Sequence, residues 1–513
     1  MRIRSLVLVA LLPIFVAPAT ASGPSRPSAP ISATGTAFGS GLTFENRAAN
    51  RFATATAGAQ SGGDPYFPSR GNGGYDAVAY STHTDMTIPA FPKPRTVAAT
   101  THMDAMATQD LTSFSLDFIG MKVSSVLVNK KRAQYRQTAN KIIITPASPI
   151  ATGTKFSSDV AYAGSPKQDA DGMGWTATSD GGTQVGDPTG AAYWMPLNDH
   201  LADKALFTNE VVVPTGITAV SNGTLKAKKV VSKNRTQWTW VGAHPMVGHN
   251  MIVSIGKFNE VRGQSKSGVR FVSFIDSTLP KSTYKRALSL VTMQPDILDF
   301  LETKFGPYPL EVAGAVVDNA HTGFAFEGQT RQFYDSALLA DDSEYLFAHE
   351  LAHQWFAVSV SPKTYADTWL NEGFAIFGEW LWEESATDNP TSTSDNFDTW
   401  FDYSASTLPH GDDLTNAEAW DDMWSVAPAS PGRDNLFSQA VYTRGAMTLE
   451  LVRRTTGSTK FYEMVRNWAK ANQDGVVSTD QFMRTAATVA NKNLDSLFQD
   501  WLFTETKPTR TRY

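Results

Sequence analysis

The spacing of apolar positions changes once along the chain. From about Asp64 to Ser277, short runs alternate apolar and polar residues, as in Phe114-Ser-Leu-Asp-Phe118, Lys141-Ile-Ile-Ile-Thr145 and Glu210-Val-Val-Val-Pro214. Period two in segments rich in Val, Ile, Thr and aromatics predicts half-buried strands. Turn formers such as Ser221-Asn222-Gly223 separate them. After Thr278 the spacing becomes helical: Tyr284 to Leu301 keeps apolar residues on one face and stops before Gly306-Pro307. Helical stretches then run from Asp341 onward, through Gly445–Val452 and Leu497–Phe503. The expected fold class is α+β: an antiparallel β-sheet domain over 64–277, then a mainly α domain over 278–513. No internal repeat is visible.

The first 21 residues do not fit either half. Arg2 and Arg4 precede an apolar stretch from Leu6 to Val16, and Ala19-Thr20-Ala21 supplies a small-x-small cleavage site before Ser22. That pattern predicts an export signal over 1–21, too short for a comfortable membrane span. No second apolar run is long enough to cross a bilayer, so the mature protein is expected to be secreted or periplasmic, without membrane insertion. Residues 22–63, rich in Gly, Ser, Ala, Thr and Pro, read as a flexible linker.

Bulk composition then excludes more than it selects. The 513 residues exceed one ordinary core, and 42% hydrophobic with 18% charged is globular. A net charge of −6 leaves no basic footprint for nucleic acid. With no Cys at all, disulfides, thiolate metal ligands and a cysteine nucleophile are impossible. Any transition metal must be held by imidazoles and carboxylates.

Such a donor set is present. In His349-Glu350-Leu351-Ala352-His353 the two His are four apart, one above the other on a helix face, so both can reach one ion. Asp341 and Glu344 resemble a capping box for that helix. A catalytic zinc takes three protein ligands and leaves one position open. Glu372, in Trp369-Leu-Asn-Glu-Gly-Phe-Ala375, follows His353 after an interval that fits a loop and a return helix. Glu350, beside a ligand but not one itself, suits a general base.

His349-Glu-Leu-Ala-His-Gln-Trp-Phe356 followed by Trp369-Leu-Asn-Glu-Gly-Phe-Ala375 is similar to the zinc signature of the aminopeptidase N family of gluzincin metallopeptidases. Asp64-Pro-Tyr-Phe-Pro, Gly71-Asn-Gly-Gly-Tyr-Asp76 and Trp194-Met-Pro-Leu-Asn-Asp-His200 with Asp203-Lys204-Ala205 resemble its β domain in short secreted bacterial members. The resemblance implies a thermolysin-like catalytic domain holding one Zn²⁺ through His349, His353 and Glu372. It places Glu327, in Phe324-Ala-Phe-Glu-Gly328, where the family binds the substrate's free α-amine, although the family's first Gly and its Asn are absent there. It gives Tyr442, in Tyr442-Thr-Arg-Gly-Ala446, the role of hydrogen-bonding the oxyanion. Asp187, before Pro188, stands where the family has a Glu that helps hold the amine, with Gln184 a further possibility. The family's Gly-Asn after Trp-Phe is replaced by Ala357-Val358, which implies retained zinc with altered packing.

These residues together predict a monomeric zinc aminopeptidase acting on peptides with a free N-terminus. Two alternatives stay open: a zinc endopeptidase with no amine anchor, and a β-domain binding protein with an inert peptidase half.

Overall fold

The structure, a computed structural model, describes residues 55–90, 93–340, 343–386, 390–410 and 414–510. The export signal, most of the linker and Asp341 of the expected capping box lie outside them. The first half is built on an eight-stranded sheet ordered Thr224–Ser232, Arg235–Val241, Leu206–Pro214, Tyr75–Thr87, Thr96–Ala107, Lys155–Gly164, Lys122–Val128 and Lys131–Arg132. Its pairings are antiparallel except where Leu206–Pro214 runs parallel to Tyr75–Thr87.

The long strand Tyr75–Thr87 shows how local irregularity keeps the core intact. Tyr75 and Ala77 point inward, and so do Tyr80, Thr82, Thr84 and Met86, so the inward parity switches between 77 and 80. A bulge between Ala77 and Ala79 absorbs the extra residue. Without it Tyr80, Thr82, Thr84 and Met86 would all turn out to solvent.

Two four-stranded sheets pack beside this one. The first carries Leu111–Asp117, Lys141–Thr145 and Gln134–Gln137, with Thr56–Ala57 from the end of the linker region added in parallel. The second, ordered Gly174–Ala177, Gly182–Val185, Val253–Gly256 and Thr218–Ser221, ends next to the site described below.

A five-stranded sheet draws strands from both sides of position 277, in the order Phe258–Gln264, Arg270–Asp276, Ala315–Asp318, Gln332–Asp335 and Ala325–Phe326. Its three central strands are parallel and strongly apolar, as sheets covered on both faces must be. The helices follow: α1 (Lys281–Phe305), α2 (Glu344–Ala352), α3 (Trp369–Ala386), α4 (Thr393–Asp402), α5 (Asn416–Trp424), α6 (Gly445–Thr456), α7 (Ser458–Ala471), α8 (Thr479–Ala490) and α9 (Asp495–Leu502). The sequence reading of α1 holds closely, because Gly306 at φ 94° ends it where the chain requires a glycine. None of these helices is long and apolar enough to cross a membrane.

The halves are tied by specific polar contacts. Asp64 Oδ2 accepts from the Tyr365 N–H at 2.9 Å. Arg331 Nη1 donates to the Ser221 and Gly223 carbonyls at 2.9 and 2.8 Å, and Asn222 Nδ2 to the Gln329 carbonyl at 2.8 Å. The turn Ser221-Asn-Gly223 of the β domain therefore supports the loop that follows Glu327.

Candidate active site

Helix α2 is apolar on nearly every side, and from Leu346 to Ala352 all of it is buried. A helix so enclosed is held by packing rather than by its caps, which is why it needs no side-chain cap at Ser343. Its burial fixes His349 and His353, at 4% and 2% exposure, against α3. There Glu372 Oε2 lies 3.4 Å from the Nε2 of each histidine. Three donors on a tetrahedral ion with bonds of about 2.1 Å stand about 3.4 Å apart, so the spacing is that of one small divalent cation. The same oxygen of Glu372 is buried without a hydrogen-bond partner, as expected of a ligand atom.

Nδ1 of His349 donates to Glu379 Oε1 at 2.6 Å, and Nδ1 of His353 to the Phe356 carbonyl at 3.2 Å. Both contacts turn Nε2 toward the shared point and fix the tautomer. Electrostatics follow from this crowding. Burial would raise the Glu372 carboxyl, but His353 and His349 outweigh it and bring the group down to about 2. Burial would likewise lower the His353 imidazole, but Glu372 takes it up to about 9.

Glu350 is buried beside the triad, with Oε2 unpartnered. Burial lifts its carboxyl to about 8, against the pull of His349 and His353 and with help from Glu327 and Glu372. Tyr442 sits in a π-helical turn, Ala440–Arg444, that runs into α6. Its ring stacks on His349 with centroids 6.0 Å apart and planes at 11°. Burial, then Glu372, Glu327, Glu350 and Asp187, push the phenol well above its ordinary value. Tyr442 is therefore a hydroxyl donor in the neutral range, surrounded by the site's carboxylates.

Glu327 follows the edge strand Ala325–Phe326 and is 7% exposed, with Oε1 buried and unpartnered. Gln354, next to His353, clamps its loop. Oε1 of Gln354 accepts from the Thr330 N–H at 2.8 Å, and Nε2 donates to the Glu327 and Gly328 carbonyls at 3.3 and 3.4 Å. A β-carbon on Gly328 would stand 2.5 Å from the Arg331 carbonyl oxygen. A side chain at position 328 would therefore clash with the loop's own backbone.

Asp187 is brought within reach of Glu327, together with His249 from the β domain. Burial raises the Asp187 carboxyl to about 8, and Glu372 adds to the rise. Gln184 is not part of this group; its Nε2 donates to the Gly190 carbonyl at 2.8 Å.

Sequence reasoning missed Glu379, Gln354, His249 and Lys204. Glu379 had a signal, since it stands seven residues after Glu372 on the same helix face. Lys204 donates to the Val358 and Ser359 carbonyls, both at 2.8 Å, holding the loop after His353 from the β domain. His249 had none, because its partners are distant in sequence.

Comparison with known proteins agrees with this geometry. Residues 290–501 match the peptidase family M1 domain. A leucyl aminopeptidase of Saccharolobus solfataricus is 25% identical over 416 residues, 77% of this chain and 49% of the relative. An aminopeptidase N of Haemonchus contortus is 27% identical over 302 residues, 55% of this chain and 30% of the relative. The chain thus spans about half or less of the length of these curated relatives. An M1 zinc metallopeptidase of Deinococcus radiodurans, solved as a variant bound to a Tyr-Ser-Ala substrate, superposes with a TM-score of 0.76 at 26% identity, covering 88% of this chain and 99% of that one.

Proposed function

Since this chain belongs to the M1 family of zinc metallopeptidases, we propose that it is an exported aminopeptidase that removes single residues from the N-termini of peptides. The observation that carries this reading is the pair of carboxylates Glu327 and Asp187, each with one buried oxygen lacking a hydrogen-bond partner, beside the His349–His353–Glu372 triad. A free α-amine is a cation, and two buried carboxylates without a Lys or Arg are the groups that would bind it. Held there, the substrate can present only its first peptide bond to the metal-binding residues. Export is supported by the leader over 1–21.

When held by His349, His353 and Glu372, zinc would supply Lewis acidity toward a water and the scissile carbonyl. Glu350 takes the proton of the attacking water and returns it to the leaving amine, and a carboxyl raised by burial suits both transfers. Tyr442 donates its hydroxyl to the carbonyl oxygen as charge builds there. The aromatic and aliphatic walls around α2 and α3 keep bulk water away from these groups.

A zinc endopeptidase is the second reading, favoured by the loop 324–328, where Gly328 leaves no side chain to hold substrate. One experiment separates them: hydrolysis of a peptide with a free N-terminus against its N-acetylated twin, with and without a chelator. The proposal expects cleavage of the free form alone and its loss with the metal. Equal cleavage of both would establish the endopeptidase.

A further inference from the structure

Apart from the His349–His353–Glu372 triad, one other group of metal-ligating side chains converges among the described residues. Asp187, His249 and Glu327 each offer one donor atom, and these atoms all lie within 4.8 Å of one another. The two triads share no residue. Three separate segments supply the second: the turn after the strand Gly182–Val185, the helical turn Gly248–Asn250, and the residue after the edge strand Ala325–Phe326.

His249 and Glu327 are 4% and 7% exposed. Oε1 of Glu327 and Oδ1 of Asp187 are both buried and without hydrogen-bond partners. Nδ1 of His249 lies 3.5 Å from Asp187 Oδ1 and 3.4 Å from the Tyr365 hydroxyl, which itself donates to the Pro188 carbonyl at 2.9 Å. A substrate ammonium would satisfy the two carboxylates without needing the imidazole beside them. Two carboxylate oxygens and one imidazole nitrogen are instead the donor set of zinc, manganese and iron sites. Two buried carboxylates facing each other are electrostatically incomplete until a cation joins them.

We infer that Asp187, His249 and Glu327 form a second site for a divalent transition-metal cation, where zinc competes with the substrate's N-terminal ammonium for the same two carboxylates. The competition rests on the aminopeptidase reading; the binding rests on the three donors alone. This site would be the weaker of the two and would act as an inhibitory sensor of excess metal.

The test measures zinc content by equilibrium dialysis of the full chain, stripped by a chelator and reloaded. The wild type should take up two equivalents, the second at higher free zinc. His249→Leu and Glu327→Gln should each stop at one. Should His249→Leu unfold, it would also lose the first equivalent, and the near-isosteric Glu327→Gln then carries the comparison. A wild type that saturates at one equivalent overturns the site, and so does a second equivalent kept by the folded variants. With free zinc about ten times above the second dissociation constant, the apparent KM for a free-amine substrate should rise roughly tenfold at constant kcat. In His249→Leu that rise should vanish. A second equivalent bound at this site with no rise in KM overturns the competition, and with it the amine-anchoring role of these carboxylates, while leaving the metal site in place.

Discussion

Gly373 of α3 lies against Gly445 at the start of α6: a β-carbon on Gly373 would stand 2.9 Å from the Gly445 carbonyl carbon and 3.1 Å from its α-carbon. Each glycine belongs to a different motif, and each motif carries a functional side chain, Glu372 one residue before and Tyr442 three residues before. The backbone crossing that both glycines permit is therefore what sets the distance between the metal ligand and the hydroxyl donor. Gly373→Ala forces the helices apart and should cost about 1–3 kcal/mol. Its kcat on free-amine substrates should fall toward that of Tyr442→Phe, for which a loss of about 10²-fold with little change in KM is expected. Steady-state kinetics beside a thermal melt would check both; a Gly373→Ala enzyme with wild-type kcat would separate the crossing from catalysis.

Glu379 should tune the metal. Its carboxylate accepts from His349 Nδ1 at 2.6 Å and so both orients the ring and raises the basicity of Nε2. Glu379→Gln keeps the shape but loses the charge, and zinc affinity should drop by about 10–100-fold. Competition against a chromophoric chelator reads this directly, without reference to activity. Wild-type affinity in the variant would reduce Glu379 to a packing residue.

The contrast between these residues shows what local sequence carries. His349, His353 and Glu350 were legible because a helix places positions four apart on one face, and Glu372 because its motif has a fixed interval from them. The strand pattern of the β domain and the end of α1 at Gly306 were legible for the same kind of reason, a period or a turn residue. His249 and Lys204 were not, since each acts on the site from the β domain, and no periodicity encodes contacts between segments so far apart in sequence. The parity switch in Tyr75–Thr87 was also hidden, because a bulge changes the register without changing composition. Gln354 adjoined a recognised ligand, but its use as a clamp depends on where the Glu327 loop comes to rest.

Ala357 stores strain. Its φ of 134° lies where a side chain crowds the backbone, held there by its N–H to the Val360 carbonyl at 3.0 Å and by Lys204 on the two following residues. Relief of strain is worth about 1–3 kcal/mol, offset by about 1 kcal/mol of added freedom in the unfolded chain. Ala357→Gly should therefore raise stability by about 1 kcal/mol, a gain of about 1 °C in Tm. A lower Tm would show that the methyl group packs more favourably than its backbone is strained.

A pH effect on stability should arise at Asp318, in the five-stranded sheet. This residue ends the strand Ala315–Asp318, in register with Asp335 of the neighbouring parallel strand. Its Oδ1 accepts from the Asn319 N–H at 2.8 Å, while Oδ2 is buried without a partner. Burial first, and then Asp276, Asp180 and Asp335, raise its carboxyl to about 8 despite that N–H. The unfolded chain releases the same proton near pH 4. Between about pH 4 and 8 the folded state thus holds a proton the unfolded state has lost, so stability falls as pH rises and the loss is complete above 8. Asp318→Asn keeps an oxygen for the Asn319 N–H and cannot ionise. Its stability relative to the wild type should climb across that window, by at most about 1.4 kcal/mol per pH unit. Urea midpoints at pH 5, 6.5 and 8 measure the divergence, and parallel curves would mean that Asp318 keeps an ordinary carboxyl in the folded protein.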